Sequence, residues 1–282
     1  MKYSNNVVAA SLTVALSAFA NVAAVQSAAA AQPSSAATVA SAENLSWKGK
    51  KVAVFGDSLS DGRIKAWRHW WSHLAEMTGI EPLVYAQNGT QWSSVSNQVE
   101  MVAAANEDPD AFFILMGTND FNNSIPLGEW WKVTTEPVNR RGSTVECQKR
   151  TFDYSRHTFR GRINIAMRLL KERYPDRQIV LLTPIHRGYF ASGNNVQPDE
   201  AYANNRGLWI HDYVACLREA GAVWSVPVID LFSECGLMPS FPEHAQFFNR
   251  ADTDLLHPNS VGHRHMAEVI AARLAAMPAT FR

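Results

Sequence analysis

Lys51-Val52-Ala53-Val54-Phe55-Gly56-Asp57-Ser58-Leu59-Ser60-Asp61-Gly62 is the stretch on which the fold of this chain turns. Its apolar, β-branched run has the composition of a buried strand and stops abruptly at a glycine. A small polar cluster follows, and an aromatic-rich segment with helical spacing takes over at 66–78. Open α/β sheets place ligands and chemistry outside the carboxyl ends of their strands. Ser58, just past such an end, is therefore the candidate nucleophile. The same residues also suit a plain strand, turn and helix cap, in which Ser and Asp bind free backbone N–H groups. Residues further along decide between the two.

Helices and strands alternate on the way there. Segment 66–78 carries Trp67, Trp70, Trp71, Leu74 and Met77 at three- and four-residue steps, one apolar helix face that reads as core, with Gly79 as its stop. A short strand is expected at 82–86, a helix at 94–105 and a fully apolar strand at 111–116, cut by Gly117-Thr118-Asn119-Asp120. Segment 121–156 lacks clear periodicity, contains Trp130, Trp131 and Cys147, and reads as a functional loop or lid. A helix at 157–174, a strand at 178–182, a helix at 199–219 stopped by Gly221, a short strand at 226–231 and a closing helix at 261–277 complete the order. This alternation implies a mostly parallel sheet covered on both faces, a three-layer sandwich with right-handed crossovers. The first three strands each run into a glycine-containing polar turn at the carboxyl side of the sheet, so the turns can converge on one crevice.

Ahead of this domain, expected at 47–282, residues 1–31 have the composition of an export signal, with an apolar stretch at 7–25 and Ala29-Ala30-Ala31 as a small-residue cleavage site. The stretch is mostly Ala, Ser and Val, which favours cleavage over a retained membrane span. Residues 32–46, rich in Ala, Ser and Thr, read as a flexible leader. A secreted or periplasmic location follows, with no stable membrane insertion after cleavage. In an exported protein two of Cys147, Cys216 and Cys235 can pair, and Cys216 with Cys235 is the pairing considered. Lys+Arg and Asp+Glu number 26 each. That balance leaves no basic footprint for nucleic acid and no polybasic membrane patch.

A serine hydroxyl needs an adjacent base, and the base needs orienting. Asp252-Thr253-Asp254-Leu255-Leu256-His257-Pro258 supplies both, because a helical or turn-like backbone lets Asp254 reach the imidazole of His257 three residues on. His257 would then present Nε2 to Ser58. The developing oxyanion needs donors, and the backbone N–H groups of Ser58 and Gly89 with the side-chain amide of Asn119 can supply three. Asp120 reads as an ordinary turn residue. No metal or cofactor is expected.

Gly56-Asp57-Ser58-Leu59, Gly89, Gly117-Thr118-Asn119-Asp120 and Asp254-Leu255-Leu256-His257 stand in the order of the motif blocks of the SGNH hydrolases, also called GDSL esterases and lipases. The chain resembles that family over about 51–275. The resemblance implies a flavodoxin-like three-layer α/β/α sandwich, Ser58, Asp254 and His257 as a triad, and Ser58, Gly89 and Asn119 as the oxyanion hole. Two departures stand out. A bulky Trp92 follows Gly89 closely, and Ser60 replaces the last glycine of a G-x-S-x-G elbow, which argues against the α/β-hydrolase fold.

Trp92, Trp130, Trp131 and Arg187 lie in or beside the loops that should ring Ser58 and are the expected substrate contacts. Aromatic faces suit sugar rings, so an O-deacetylase of acetylated carbohydrate is expected, acting on a small-molecule or polysaccharide ester. A lipase, thioesterase or acyltransferase of the same fold is the nearest alternative. A metal-dependent hydrolase using His257, His263 and His265, and a non-catalytic carbohydrate-binding protein, are the readings from other classes.

Overall fold

The central sheet has five parallel strands, numbered here in chain order: β1 (Lys51–Gly56), β2 (Glu81–Val84), β3 (Ala111–Leu115), β4 (Gln178–Leu182) and β5 (Val228–Ile229). They lie in the spatial order β2-β1-β3-β4-β5, the flavodoxin-like arrangement. This computed structural model describes residues 46–64 and 68–281. The expected signal peptide, the leader up to residue 45 and Trp67 lie outside the described residues. Among the described residues no helix is long and apolar enough to cross a membrane.

Successive side chains of a strand point to opposite faces, so a sheet buried on both sides reads as unbroken apolar runs. Ala53, Phe55, Phe112, Ile114, Ile179 and Leu181 enter one core cluster, and Val52, Val54, Phe113, Leu115, Val180 and Leu182 enter the other. Helices Val95–Ala104, Phe159–Arg173 and Ile210–Trp224 cover the first face, and Trp70–Thr78 with Ser260–Leu274 cover the second. The register Val52↔Ala111 to Gly56↔Leu115 ends β1 and β3 level with each other. Ser58 and Asn119 therefore leave the sheet side by side.

Several expectations are corrected. Segment 121–156 is not an irregular loop: Trp131–Arg140 and Ser143–Phe152 form an antiparallel hairpin of ten residues a strand, turning at Arg141 and Gly142, both with positive φ. Most of its residues are exposed on both faces, so no apolar alternation marks it in the sequence. Only its base is anchored, where Phe152 stacks on Trp131 and Trp224 with ring centroids 4.2 and 4.3 Å apart. The helix expected at 199–219 is Ile210–Trp224, stopped by Ser225 in the left-handed region (φ 52°). Gly221 is instead a packing position, since a Cβ there would meet Val228 at 2.7 Å. In the tryptophan-rich helix Trp70 and Leu74 are buried, as expected of core, whereas Met77 is exposed.

A second, four-stranded antiparallel sheet went unanticipated, made of Phe190–Ser192, Asn195–Gln197, Phe248–Arg250 and Asp254–Pro258. It puts Asp254 and His257 on extended backbone, not on the helical or turn-like backbone expected. The cysteines are all free, and Cys216 and Cys235 belong to different core clusters. The sheet stands between them, so that pairing is not made.

Candidate active site

Ser58 sits in a turn tied to the end of β1. The Asp57 carbonyl accepts the N–H groups of Ser60 and Asp61 at 3.0 and 2.9 Å, and the Asp57 carboxylate accepts that of Leu59 at 3.0 Å. Gly56 has no room for a side chain, because a Cβ would lie 2.7 Å from Ser60 Oγ and 3.0 Å from the Leu115 carbonyl. Trp70 Nε1 donates to Ser60 Oγ, so the helix on the second face braces the same turn.

His257 Nε2 lies 3.0 Å from Ser58 Oγ, and His257 Nδ1 lies 2.9 Å from Asp254 Oδ1. The same Oδ1 accepts the His257 backbone N–H at 3.1 Å, which folds the carboxylate back along its own strand. Asp254 Oδ2 accepts the Asn249 side-chain amide at 2.9 Å, and the Phe190 ring stands edge-on to the imidazole. A carboxylate on Nδ1 fixes that nitrogen as the N–H and leaves Nε2 as the acceptor facing Ser58. Ser58 is 6% exposed and His257 8%, so the pair is largely shielded from bulk water.

The turns after β2 and β3 close on this pair. Gly89 adopts φ +74°, a conformation that favours glycine, although a Cβ there would meet nothing within 4 Å. Close approach is thus not why glycine is needed; the backbone turn is. Asn119 donates Nδ2 to the Thr90 carbonyl at 3.0 Å and sits 3.4 Å from Asp57 Oδ2. Thr90 Oγ1 donates to the Gln87 carbonyl at 2.7 Å, and Asn88 N–H to Asp61 Oδ2 at 3.0 Å. The three turns form one hydrogen-bonded rim around Ser58.

Behind the rim lies a buried charge cluster. Asp120 is more than the ordinary turn residue expected: fully buried, it accepts the Trp92 N–H at 3.0 Å and an Arg162 N–H at 2.8 Å. Burial pushes the Asp120 carboxyl up to about 6 and that of Asp57 up to about 7, the latter aided by the charge of Asp120.

The structure separates the expected substrate contacts from the site. Trp92 is 1% exposed and donates Nε1 to the Met116 carbonyl inside the core. Trp130 is also core, with Nε1 on Glu219 at 2.8 Å. Trp131 is taken up by Phe152 and by the Arg150 guanidinium, 4.6 Å from its ring centroid. A ring packed on its neighbours offers no platform to a sugar. Arg187 is buried too, and its guanidinium bonds Thr118 Oγ1 and Gln197 Oε1 and lies over the Phe121 ring. Burial draws its pKa down to about 10, so it stays charged at neutral pH and acts on the site from behind. His263 packs on His69 and His265 on Phe247, and among the described residues no His, Cys, Asp or Glu group converges as metal ligands. Sequence reasoning missed Asn249, Thr90 and Gln197. A partner for the triad carboxylate must come from a neighbouring strand, which Asn249 in the unread Phe248–Arg250 strand provides.

The family profile of the GDSL-like lipase/acylhydrolases matches residues 54–265. Among solved structures, a protein from Lactobacillus plantarum is similar at 23% identity with a TM-score of 0.62, over 80% of this chain and 97% of its own. A possible lipase from Chitinophaga pinensis is similar at 18% identity and a TM-score of 0.61, over 79% of this chain and 97% of its own. An acetyl xylan esterase from Geobacillus stearothermophilus is similar at 16% identity and a TM-score of 0.51, over 82% of this chain and 97% of its own. Likenesses at these identities speak to the fold alone. No curated protein sequence matches this chain.

Proposed function

The chain belongs to the GDSL-like lipase/acylhydrolase family, and from that premise we propose that it is an exported serine esterase that removes acetyl groups from carbohydrate. Membership makes it an esterase- or lipase-type hydrolase; the nucleophile, the substrate and the location are our inference. The observation that carries it is the Ser58–His257–Asp254 relay, with links of 3.0 and 2.9 Å.

In the proposed reaction Ser58 Oγ attacks the ester carbonyl carbon while its proton passes to His257 Nε2. Asp254, held at Nδ1, stabilises the imidazolium that forms. Charge gathering on the carbonyl oxygen meets the Ser58 and Gly89 N–H groups and the Asn119 amide. Collapse of the tetrahedral intermediate breaks the bond to the sugar oxygen, which leaves with the proton from Nε2. Water then attacks the acetyl-Ser58 ester, giving a proton to His257 Nε2, and acetate departs as that proton passes to Ser58 Oγ.

Support for a sugar comes from a cleft of about 300 Å³ that opens beside the Asn119 turn, lined by Phe121, Asn122, Ser124, Tyr202, Asn204 and Asn205 among others. The side-chain amides of Asn122 and Asn205 and the Ser124 hydroxyl there suit sugar hydroxyls, and Tyr202, 62% exposed, offers the aromatic face that the buried tryptophans do not. A long acyl chain asks instead for an apolar trough.

The test is acetate release from acetylated glucomannan beside hydrolysis of nitrophenyl acetate and nitrophenyl decanoate, for the parent and Ser58→Ala. Preference for acetyl over decanoyl esters, abolished in Ser58→Ala, upholds the reading. A preference for decanoyl esters would move the protein to the lipases.

A further inference from the structure

Helices Val95–Ala104 and Phe159–Arg173 both begin at the carboxyl end of the sheet, because each returns from the end of one parallel strand to the start of the next. Between their first turns lies a cavity of about 340 Å³ lined by Trp92, Ser93, Ser96, Asn97, Arg156 and Arg162, among others. Past the shared Arg156 and Ile165 it continues into a second cavity of about 410 Å³, walled by Tyr154, Arg168 and Leu169. The two make one elongated groove.

Its charge is unbalanced. Arg162 gives Nη1 to Asp120 and Gln91, both at 2.8 Å, and Nε to the Arg156 carbonyl at 2.9 Å. Its Nη2 makes no hydrogen bond with the described residues. Arg156 is exposed and has no carboxylate partner among them. Arg168 lies over the Tyr154 ring at 5.2 Å and pairs with Glu172. Glu172, which lines the groove, pairs with Arg168, and Asp120, buried behind it, pairs with Arg162, so the charge of Arg156 is left over among the described residues. The groove also backs onto the oxyanion rim. Gln91, which accepts from Arg162, approaches the Asn119 carbonyl with its amide at 3.5 Å.

We propose that this groove is a subsite for the carboxylate of an acidic sugar, so that the polymer presented to Ser58 is an anionic glycan. Arg156 and the Arg162 Nη2 are free donors for a carboxylate among the described residues, and Ser93, Ser96 and Asn97 suit ring hydroxyls. The length of the groove favours a sugar chain over a small inorganic anion. The catalytic consequence rests on the esterase reading; the binding does not.

The experiment compares the parent with Arg156→Ala and Arg156→Glu, neither of them in the proposed catalytic machinery. Turnover of nitrophenyl acetate should stay unchanged. KM for acetylated polygalacturonate should rise about fivefold or more in Arg156→Ala, and further in Arg156→Glu, as befits loss of a charge-assisted contact. KM for acetylated glucomannan should not move, and added salt should raise KM for the acidic polymer alone. Equal effects on both polymers, or none on either, would overturn the subsite. Calorimetric titration of oligogalacturonate into Ser58→Ala and Ser58→Ala/Arg156→Glu reads binding without turnover. Weaker binding in the double variant upholds the subsite even where no acetylated polymer is hydrolysed, which separates its failure from that of the esterase reading. Inorganic phosphate binding as tightly as oligogalacturonate would make the groove a site for free anions and overturn the sugar assignment.

Discussion

Asn249 donates its side-chain amide to Asp254 Oδ2 at 2.9 Å, leaving Oδ1 to the imidazole and backbone N–H of His257. Each oxygen of this buried carboxylate thus has its own partner, and the one facing His257 cannot rotate away without breaking the other contact. Hydrogen bonds to charged groups contribute about 1.5–3 kcal/mol, so Asn249→Ala should lower kcat by about tenfold or more. KM for nitrophenyl acetate should hardly change, because Asn249 orients the base and does not bind substrate. A change confined to KM would argue against that role.

Removing the nucleophile or the base should lower kcat by about 10⁴–10⁶ for Ser58→Ala and for His257→Ala. The double variant should be no worse than either single one, since the two act as a unit. Circular dichroism on the same samples checks that the fold survives. Additive losses would mean that the pair does not work as a relay.

Asn119 offers a separate test of the oxyanion rim. Its Nδ2 is placed by the Thr90 carbonyl at 3.0 Å, and its second N–H makes only a long 3.4 Å contact with Asp57 Oδ2, which it exchanges for the oxyanion on reaction. Asn119→Ala should cost about 10²–10³ in kcat with little effect on KM for nitrophenyl acetate. A loss that falls instead on KM would move Asn119 from the oxyanion to ground-state binding.

The sheet was legible because its strands are buried on both faces: 111–116 reads as a strand from composition alone. The placing of Ser58, Gly89 and Asn119 was legible for a related reason, since parallel strands deliver their carboxyl-end turns to one place. Asp254 and His257 arrive instead on an antiparallel strand of the second sheet, and only their spacing and the motif order pointed to them. What failed was anything dependent on lateral packing. The hairpin Trp131–Arg140/Ser143–Phe152 carries little buried apolar periodicity, and the short strands of the second sheet are too brief to show any. The tryptophans misled because proximity in sequence to a catalytic turn says nothing about which way a ring points. Trp92 follows Gly89 by three residues, yet it turns inward beneath Asp120 and Phe159.

Thiol chemistry should distinguish the three cysteines. Burial pushes Cys216 up to about 12 and Cys235 up to about 11, while Cys147 sits half-buried on the protruding hairpin. Since the thiolate is the reactive form, native protein should show one fast-reacting thiol, abolished by Cys147→Ser, and three after denaturation. Two fast thiols in the native state would contradict the core placement of Cys216 and Cys235.

Asp57 should make stability depend on pH in a direction unusual for a carboxylate. Chiefly through burial, its folded pKa is raised from 3.8 to about 7. Between those values the folded chain holds a proton that the unfolded chain has released. The stabilisation is therefore complete below about pH 4 and is lost as pH rises through 7. Asp120, raised to about 6, acts in the same sense over a narrower window. His69, His73 and His263, whose pKa values burial lowers, act oppositely below their ordinary range, so the parent profile alone is a sum of both. The difference between parent and Asp57→Asn isolates the one group. Apart from a constant offset, Asp57→Asn should gain on the parent by at most roughly 1.4 kcal/mol per pH unit between pH 5 and 7, then level off. Urea denaturation across that range measures it. A difference that does not change with pH would mean that Asp57 is ionised in the folded protein throughout, with its charge held by Arg187 and the Leu59 N–H rather than suppressed by burial.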